Sequence, residues 1–249
     1  MEEKAISNII SSTTNTTNSS NQQTTESYLE PCIYTIRLID KLKSIDISNT
    51  LDFDLINKAI YWARKYHGQQ TRKSGEPYYT HPLEVAYLIA EHVRPTTNLI
   101  VVSILHDIIE DTEVTAGMIV DSFGFRIAEM VDALTRDRPD GTKLSVEEIL
   151  GNALEKGDNE VLLIKVMDRM HNIMTIDSMS TLKQKKIALE TLNEFITISC
   201  YLDNIKYERI LTELSSAIIN KDTKDTIDTE FLKSINISSS LGKLTFGYK

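Results

Sequence analysis

The sequence predicts an all-α protein, an irregular helical bundle rather than an up-and-down one. Three observations predict it. Apolar residues recur at helical spacing from Ile33 to Ile219, helix start and stop signals punctuate that stretch, and no alternating strand pattern or internal repeat interrupts it. A chain of 249 residues, 41% hydrophobic and 25% charged, suits one soluble domain of about 150–200 residues plus tails.

Each element has a local reason. Residues 5–28 are dominated by Ser, Thr, Asn and Gln and bury too little to offset their ordering entropy, so 1–30 reads as a disordered tail. The domain itself reads as 31–220. Phe53, Ile56, Ala59, Ile60 and Ala63 form an apolar stripe that stops at His67-Gly68. Pro82 suits a helix N1 position ahead of Leu83 to Val93. A third helix is expected from Thr97 to Asp111. Thr115 caps a short helix that stops at Phe123-Gly124. Ser145-Val146-Glu147-Glu148 matches a capping box, and its helix ends at Gly157. Residues 159–177 form another helix, and 180–219 hold one long or two consecutive helices. Residues 221–249 are polar with scattered apolar positions, and their pattern assigns no structure.

Composition excludes some roles. A net charge of −9 argues against a nucleic-acid or anionic-membrane partner, but leaves open a polyanionic small molecule met by locally concentrated basic residues. No apolar run approaches the roughly 18 residues of a membrane span. The start Met-Glu-Glu-Lys lacks the apolar region of a secretory signal. Cys32 and Cys200 are far apart and in no ligand spacing, so two free thiols in a reducing, cytoplasmic setting are expected. Oligomeric state is not legible.

The stretch His106-Asp107-Ile108-Ile109-Glu110-Asp111 places an imidazole and three carboxylates at the end of a run that is apolar from Leu99 to Leu105 save for Ser103. Charges there need a cation or a ligand to compensate them. On a continuous helix, His106/Glu110 and Asp107/Asp111 form two adjacent i, i+4 columns. The plainer reading is an acidic helix end surfacing into solvent. His81, His106-Asp107 and Asp168 together supply two imidazoles and two carboxylates from three helices. Four such ligands with open positions suit a six-coordinate Mn²⁺ or Fe²⁺ better than a catalytic zinc. Of the other histidines, His67 and His92 read as surface or satisfied core residues.

The segments HGQQTRKSGEPYYTHPLEVA (67–86), LHDIIEDT (105–112), FG (123–124) with VDALTR (131–136), and IKVMDRMHNIMTI (164–176) decide between these readings. On them the chain resembles the HD-domain phosphohydrolases, specifically the hydrolase domain of the RelA/SpoT-type (p)ppGpp enzymes. The resemblance implies an HD-type bundle with His81, His106, Asp107 and Asp168 as ligands of Mn²⁺. It implies that Glu110 and Asp111 activate or place the attacking water. It implies that Arg72, Lys73, Ser74, Asn172 and Thr175 bind the nucleotide. Asp168, Asn172 and Thr175 are spaced four and three apart and so share a helix face. The implied reaction is hydrolysis of the 3′-pyrophosphate of guanosine tetra- or pentaphosphate. Arg72, Lys73, Lys165 and Arg169 are the local basic groups available to it; Lys165 and Arg169 also have structural readings, as a snorkelling lysine and an ion-pair partner. His171 is not a ligand in the family and reads as a packing or supporting residue.

Departures from the family pattern are visible too. No synthetase domain follows the helical one, which suggests a stand-alone small alarmone hydrolase or a fragment of a longer ancestor. Met174 stands where family members commonly carry Arg, and Val166-Met167 replaces Leu-Ala before Asp168. Two other readings stay open: the same chemistry on an adenosine alarmone or NADPH, and a catalytically decayed nucleotide-binding module.

Overall fold

The helix at the centre of the fold, Thr97–Leu105, is apolar on every side, and each residue from Leu99 to Leu105 is buried. Such a helix is stable only when surrounded. In this computed structural model, which describes residues 30–138 and 141–220, its neighbours do surround it. The stretch before residue 30 and residues 221–249, on which a tail and an unassigned segment were expected, lie outside the described residues. In chain order the helices are α1 (Ile33–Ile45), α2 (Phe53–His67), α3 (Thr80–His92), α4 (Thr97–Leu105), α5 (Ile108–Asp111), α6 (Ala116–Phe123), α7 (Phe125–Leu134), α8 (Val146–Lys156), α9 (Asn159–Met174), α10 (Thr181–Glu190), α11 (Ile196–Tyr201) and α12 (Ile205–Ile219). Among the described residues there is no strand, only two isolated bridges, Thr71 to Pro77 and Asp137 to Lys143.

α4 packs against α2, α3, α7 and α9. α1 covers α3, α6 packs on α7, α8 lies on α9, and α12 holds α9 and α10. The element boundaries follow local chemistry. Asp52, Thr96, Thr115, Asp158 and Asn204 each accept a hydrogen bond from the backbone N–H three residues on, and Ser145 with Glu148 forms the full capping box. Gly157 ends α8 in the left-handed region at φ 63°.

Three boundaries differ from those expected, and one open alternative is decided. α3 begins at Thr80, so Pro82 is the third helical residue rather than the first; its missing N–H still falls within the first turn. The expected helix from Thr97 to Asp111 is broken at His106-Asp107, and a new turn, α5, starts with Asp111 N donating to Asp107 O at 3.0 Å. There the His106 ring donates to Ser103 O at 2.8 Å, a side-chain bond to a carbonyl of the last turn of α4. α9 ends at Met174, and a 3₁₀ turn at Ile176–Ser178 follows. Residues 181–219 resolve into two consecutive helical stretches, the first containing a π-helical turn at Thr191–Phe195, where the Thr191 hydroxyl donates to Ile187 O at 2.7 Å.

Candidate metal centre and its cleft

Three elements converge on one point beside α4. The first turn of α3 brings His81, the break between α4 and α5 brings His106 and Asp107, and α9 brings Asp168. His81 Nε2 lies 3.2 Å from Asp168 Oδ1 and 3.6 Å from Asp107 Oδ2. His106 Nε2 lies 3.1 Å from Asp107 Oδ1 and 3.9 Å from Asp168 Oδ1. His81, His106 and Asp168 each offer an atom within 4.8 Å of the others, and Asp107 adjoins this triangle through both of its oxygens.

These residues fit a cation. Ligand atoms about 2.1 Å from one ion are about 3.0 Å apart at right angles and about 4.2 Å apart at most. The four contacts fall in that range. Among the described residues His106 Nε2 is buried and finds no hydrogen-bond partner, while its Nδ1 donates to Ser103 O. That bond places a proton on Nδ1 and leaves Nε2 facing the carboxylates, a position that a second proton or a divalent cation can fill. The cluster of two imidazoles and a carboxylate, with Asp107 beside it, can therefore hold a metal ion.

The charges in the cluster stabilise one another against burial. Burial raises Asp168, but Lys165 at 3.5 Å and the two imidazoles outweigh it and hold the carboxyl well below its usual range. Burial likewise raises Asp107, and His106 and His81 outweigh it. At His106 burial works downward, and the two carboxylates overcome it to push the ring up to about 9. At His81 burial prevails and lowers the ring. Tyr78 donates its hydroxyl to Asp107 Oδ2 at 3.0 Å, and its ring stacks on His67 at 4.7 Å between centroids.

Beside the cluster opens a cleft of about 410 Å³, lined among others by Arg72, Lys73, Tyr78, Glu110, Asp111, Arg136, Lys165, Arg169, Asn172 and Thr175. The turn after α2 shapes one wall. Gly75 holds φ 88°, where a side chain is strained, and lets Arg72 N donate to Glu76 O at 2.9 Å. This turns Arg72 and Lys73 toward the cleft; Ser74, the third residue expected there, is exposed and not among the lining residues. Arg72 Nη2 donates to Asn172 Oδ1 at 3.0 Å, and Asn172 Nδ2 donates to Asp168 Oδ1 at 2.6 Å. Among the described residues Arg72 Nη1 is buried without a hydrogen-bond partner. Thr175 lines the cleft at the end of α9 and donates its hydroxyl to His171 O at 2.9 Å.

The acidic pair also lines the cleft, with Asp111 O accepting from Gln70 Nε2 of the turn after α2 at 2.7 Å. Glu110 Oε2 accepts from Arg136 N at 3.2 Å, and Lys143 Nζ is 3.6 Å from Oε1. Burial, with Asp107 and Glu110 nearby, outweighs a Tyr78 hydrogen bond and raises Asp111. Arg169 is engaged structurally, paired with Glu190 at 3.4 Å and lying over the Phe195 ring at 4.4 Å. Lys165 is buried and directed at Asp168 rather than reaching to solvent. The residues not singled out from sequence are Tyr78, Arg136 and Lys143. The first two lie in the stretches 67–86 and 131–136 that carry the family pattern; nothing local marks Lys143.

A family model described as the HD domain matches residues 59–198, more than half of the chain. This chain belongs to the HD domain family. Its HD domain is 40% identical over 156 residues to a GTP pyrophosphokinase of Myxococcus xanthus, a match covering 59% of this chain and 20% of that protein. It is 32% identical over 177 residues to a probable guanosine-3′,5′-bis(diphosphate) 3′-pyrophosphohydrolase of Mycoplasma pneumoniae, covering 67% of this chain and 24% of that one. A protein of the same description from Synechocystis is 33% identical over 175 residues, covering 68% and 23%. The chain thus spans about a quarter or less of the curated relatives it matches. A solved structure described as a metazoan ortholog of SpoT that hydrolyzes ppGpp shares the HD fold at a TM-score of 0.53 and 20% identity, covering 64% of this chain and 93% of that one.

Proposed function

We propose that this HD domain, residues 31–220, hydrolyses the 3′-pyrophosphate of guanosine tetra- or pentaphosphate, releasing GDP or GTP and pyrophosphate, with Mn²⁺ as its metal. The observation that carries the reading is the junction of two environments in one cleft. A mixed imidazole–carboxylate cluster forms its floor, and Arg72, Lys73, Arg136 and Lys165 give an acidic protein a local basic lining. Relatives named for this hydrolysis support the substrate class.

His81, His106, Asp107 and Asp168 would hold the cation, which when bound neutralises charge at phosphorus and makes water a better nucleophile near neutral pH. Glu110 and Asp111 line the same cleft, and in this reading they would accept a proton from water and hold it in line. Water adds its oxygen to the phosphorus of the 3′-pyrophosphate, the bond from phosphorus to the ribose 3′ oxygen breaks, and that oxygen takes up the proton. Arg72 and Lys73 bind charged phosphate or lie against the purine, and Asn172 keeps Arg72 in register with Asp168. The reading places the protein in the cytoplasm, with Cys32 and Cys200 as free thiols.

The test is incubation of metal-stripped protein with guanosine tetraphosphate, with and without Mn²⁺, beside Asp107→Ala. Release of GDP and pyrophosphate only by Mn²⁺-loaded wild type supports the proposal. Bound Mn²⁺ with no release from this nucleotide overturns the substrate, and adenosine alarmones and NADPH then become the panel to assay. Neither release nor bound metal overturns the catalytic reading in favour of a nucleotide-binding module.

A further inference from the structure

His171 is a buried imidazole that the proposed reaction does not use. It lies three residues after Asp168 on α9, and its Nδ1 is 2.8 Å from Nδ1 of His81, with ring centroids 4.8 Å apart. Two such nitrogens share one proton: one ring donates and the other accepts. His81 Nε2 faces Asp168 and Asp107, at 3.2 and 3.6 Å. To give a cation its lone pair there, His81 must carry its proton on Nδ1, so His171 must present a bare Nδ1. In the opposite arrangement His171 donates, and the His81 proton moves to Nε2 and points into the cluster.

We infer that His171 is a positioning residue that holds His81 in its Nδ1–H form and so directs the Nε2 lone pair at the metal. The inference rests on the metal centre proposed above. His171 does for His81 what the Ser103 carbonyl does for His106, accepting the proton on Nδ1. The two acceptors differ in one respect. A backbone carbonyl can only accept, whereas an imidazole accepts only in one tautomer, so the His81 side of the centre depends on a side chain that substitution can change. One helix then supplies both a ligand, Asp168, and the group that orients a second ligand.

The test separates hydrogen bonding from packing. His171→Phe keeps a ring of similar size and removes the acceptor. His171→Asn loses ring packing but presents Oδ1 close to the position of Nδ1. Mn²⁺ affinity is read from the electron paramagnetic resonance signal of free Mn²⁺ in titrations of each full-length variant, with circular dichroism confirming helicity. The expected result is about 10–100-fold weaker Mn²⁺ binding for His171→Phe, with most of the affinity retained by His171→Asn. Wild-type affinity in His171→Phe, or weaker binding in His171→Asn than in His171→Phe, overturns the inference. His81→Ala is the control: loss of Mn²⁺ there shows that the centre exists, and wild-type affinity there overturns the centre and the inference together.

Discussion

Asn172 ties the two halves of the cleft together, and removing it tests whether they act as one. Its side chain accepts from Arg72 at 3.0 Å and donates to Asp168 at 2.6 Å, so Asn172→Ala breaks two bonds to charged groups. A hydrogen bond to a charged group contributes about 1.5–3 kcal/mol when water does not replace it. The cleft is open, and both partners regain water in part, so about 1–2 kcal/mol in all is the expected net loss. At about 1.4 kcal/mol per tenfold, that lowers kcat/KM for guanosine tetraphosphate by roughly 5–30-fold. Much of the loss falls on KM if Arg72 grips ground state and transition state alike. Asn172→Asp gives the sharper comparison. It preserves an acceptor for Arg72 but replaces the donor facing Asp168 with an oxygen, setting two carboxylates against each other. Its loss is therefore expected to exceed that of alanine. Steady-state hydrolysis with Mn²⁺ held saturating measures both. An alanine variant within twofold of wild type, or an aspartate variant milder than alanine, refutes the bridge.

Three further outcomes follow from the same geometry. Glu110→Gln keeps the shape of the acidic wall and all four proposed metal ligands, so Mn²⁺ affinity should persist while turnover falls by about 10²–10⁴-fold; full turnover would remove Glu110 from the proton transfer. Leu105→Ala empties space in a fully buried side chain of α4 and should cost about 2–5 kcal/mol in urea unfolding, with a negligible loss counting against the central place of that helix. His92 accepts from Lys206 at 3.2 Å; burial first, and then Lys206, lower it to about 4, against 6.5 for the free side chain. The unfolded chain therefore binds more protons between those values, so this contribution is complete above pH 6.5 and lost as pH falls toward 4. His92→Asn should flatten the fall in unfolding free energy across that window, read from urea titrations, by on the order of 1 kcal/mol, and an unchanged slope would show that His92 carries none of it.

The helices were legible because the signals that make them are local. The stripe from Phe53 to Ala63, the caps at Thr115 and Ser145, and the stop at Gly157 act within a turn or two, and the structure places them as read. The break at His106-Asp107 was not legible. The apolar run continues through it with helical spacing, and at the break the His106 ring reaches Ser103 O while Nε2 meets Asp107 and, from α9, Asp168. The two i, i+4 columns expected on one unbroken helix consequently do not describe the site. Ser74 was placed at the nucleotide by its position in a motif, yet the Gly75 turn leaves it exposed. Lys165 read equally as a snorkelling residue, and its burial against Asp168 depends on where α9 packs.

By itself the sequence determined the all-α class, most helix ends, and which imidazoles and carboxylates were available, because each depends on periodicity, capping or residue chemistry within a short span. It also carried the motifs on which the family resemblance stands. Only the tertiary structure decided which groups meet and what each is bonded to. Asp168 lies 62 residues from His106 in sequence and 3.9 Å from its Nε2 in space. Tyr78 on Asp107, Lys143 beside Glu110 and His171 on His81 are likewise contacts between elements. No local pattern encodes them, because they arise when separately formed helices bury their apolar faces against α4 and bring their polar ends to a common point.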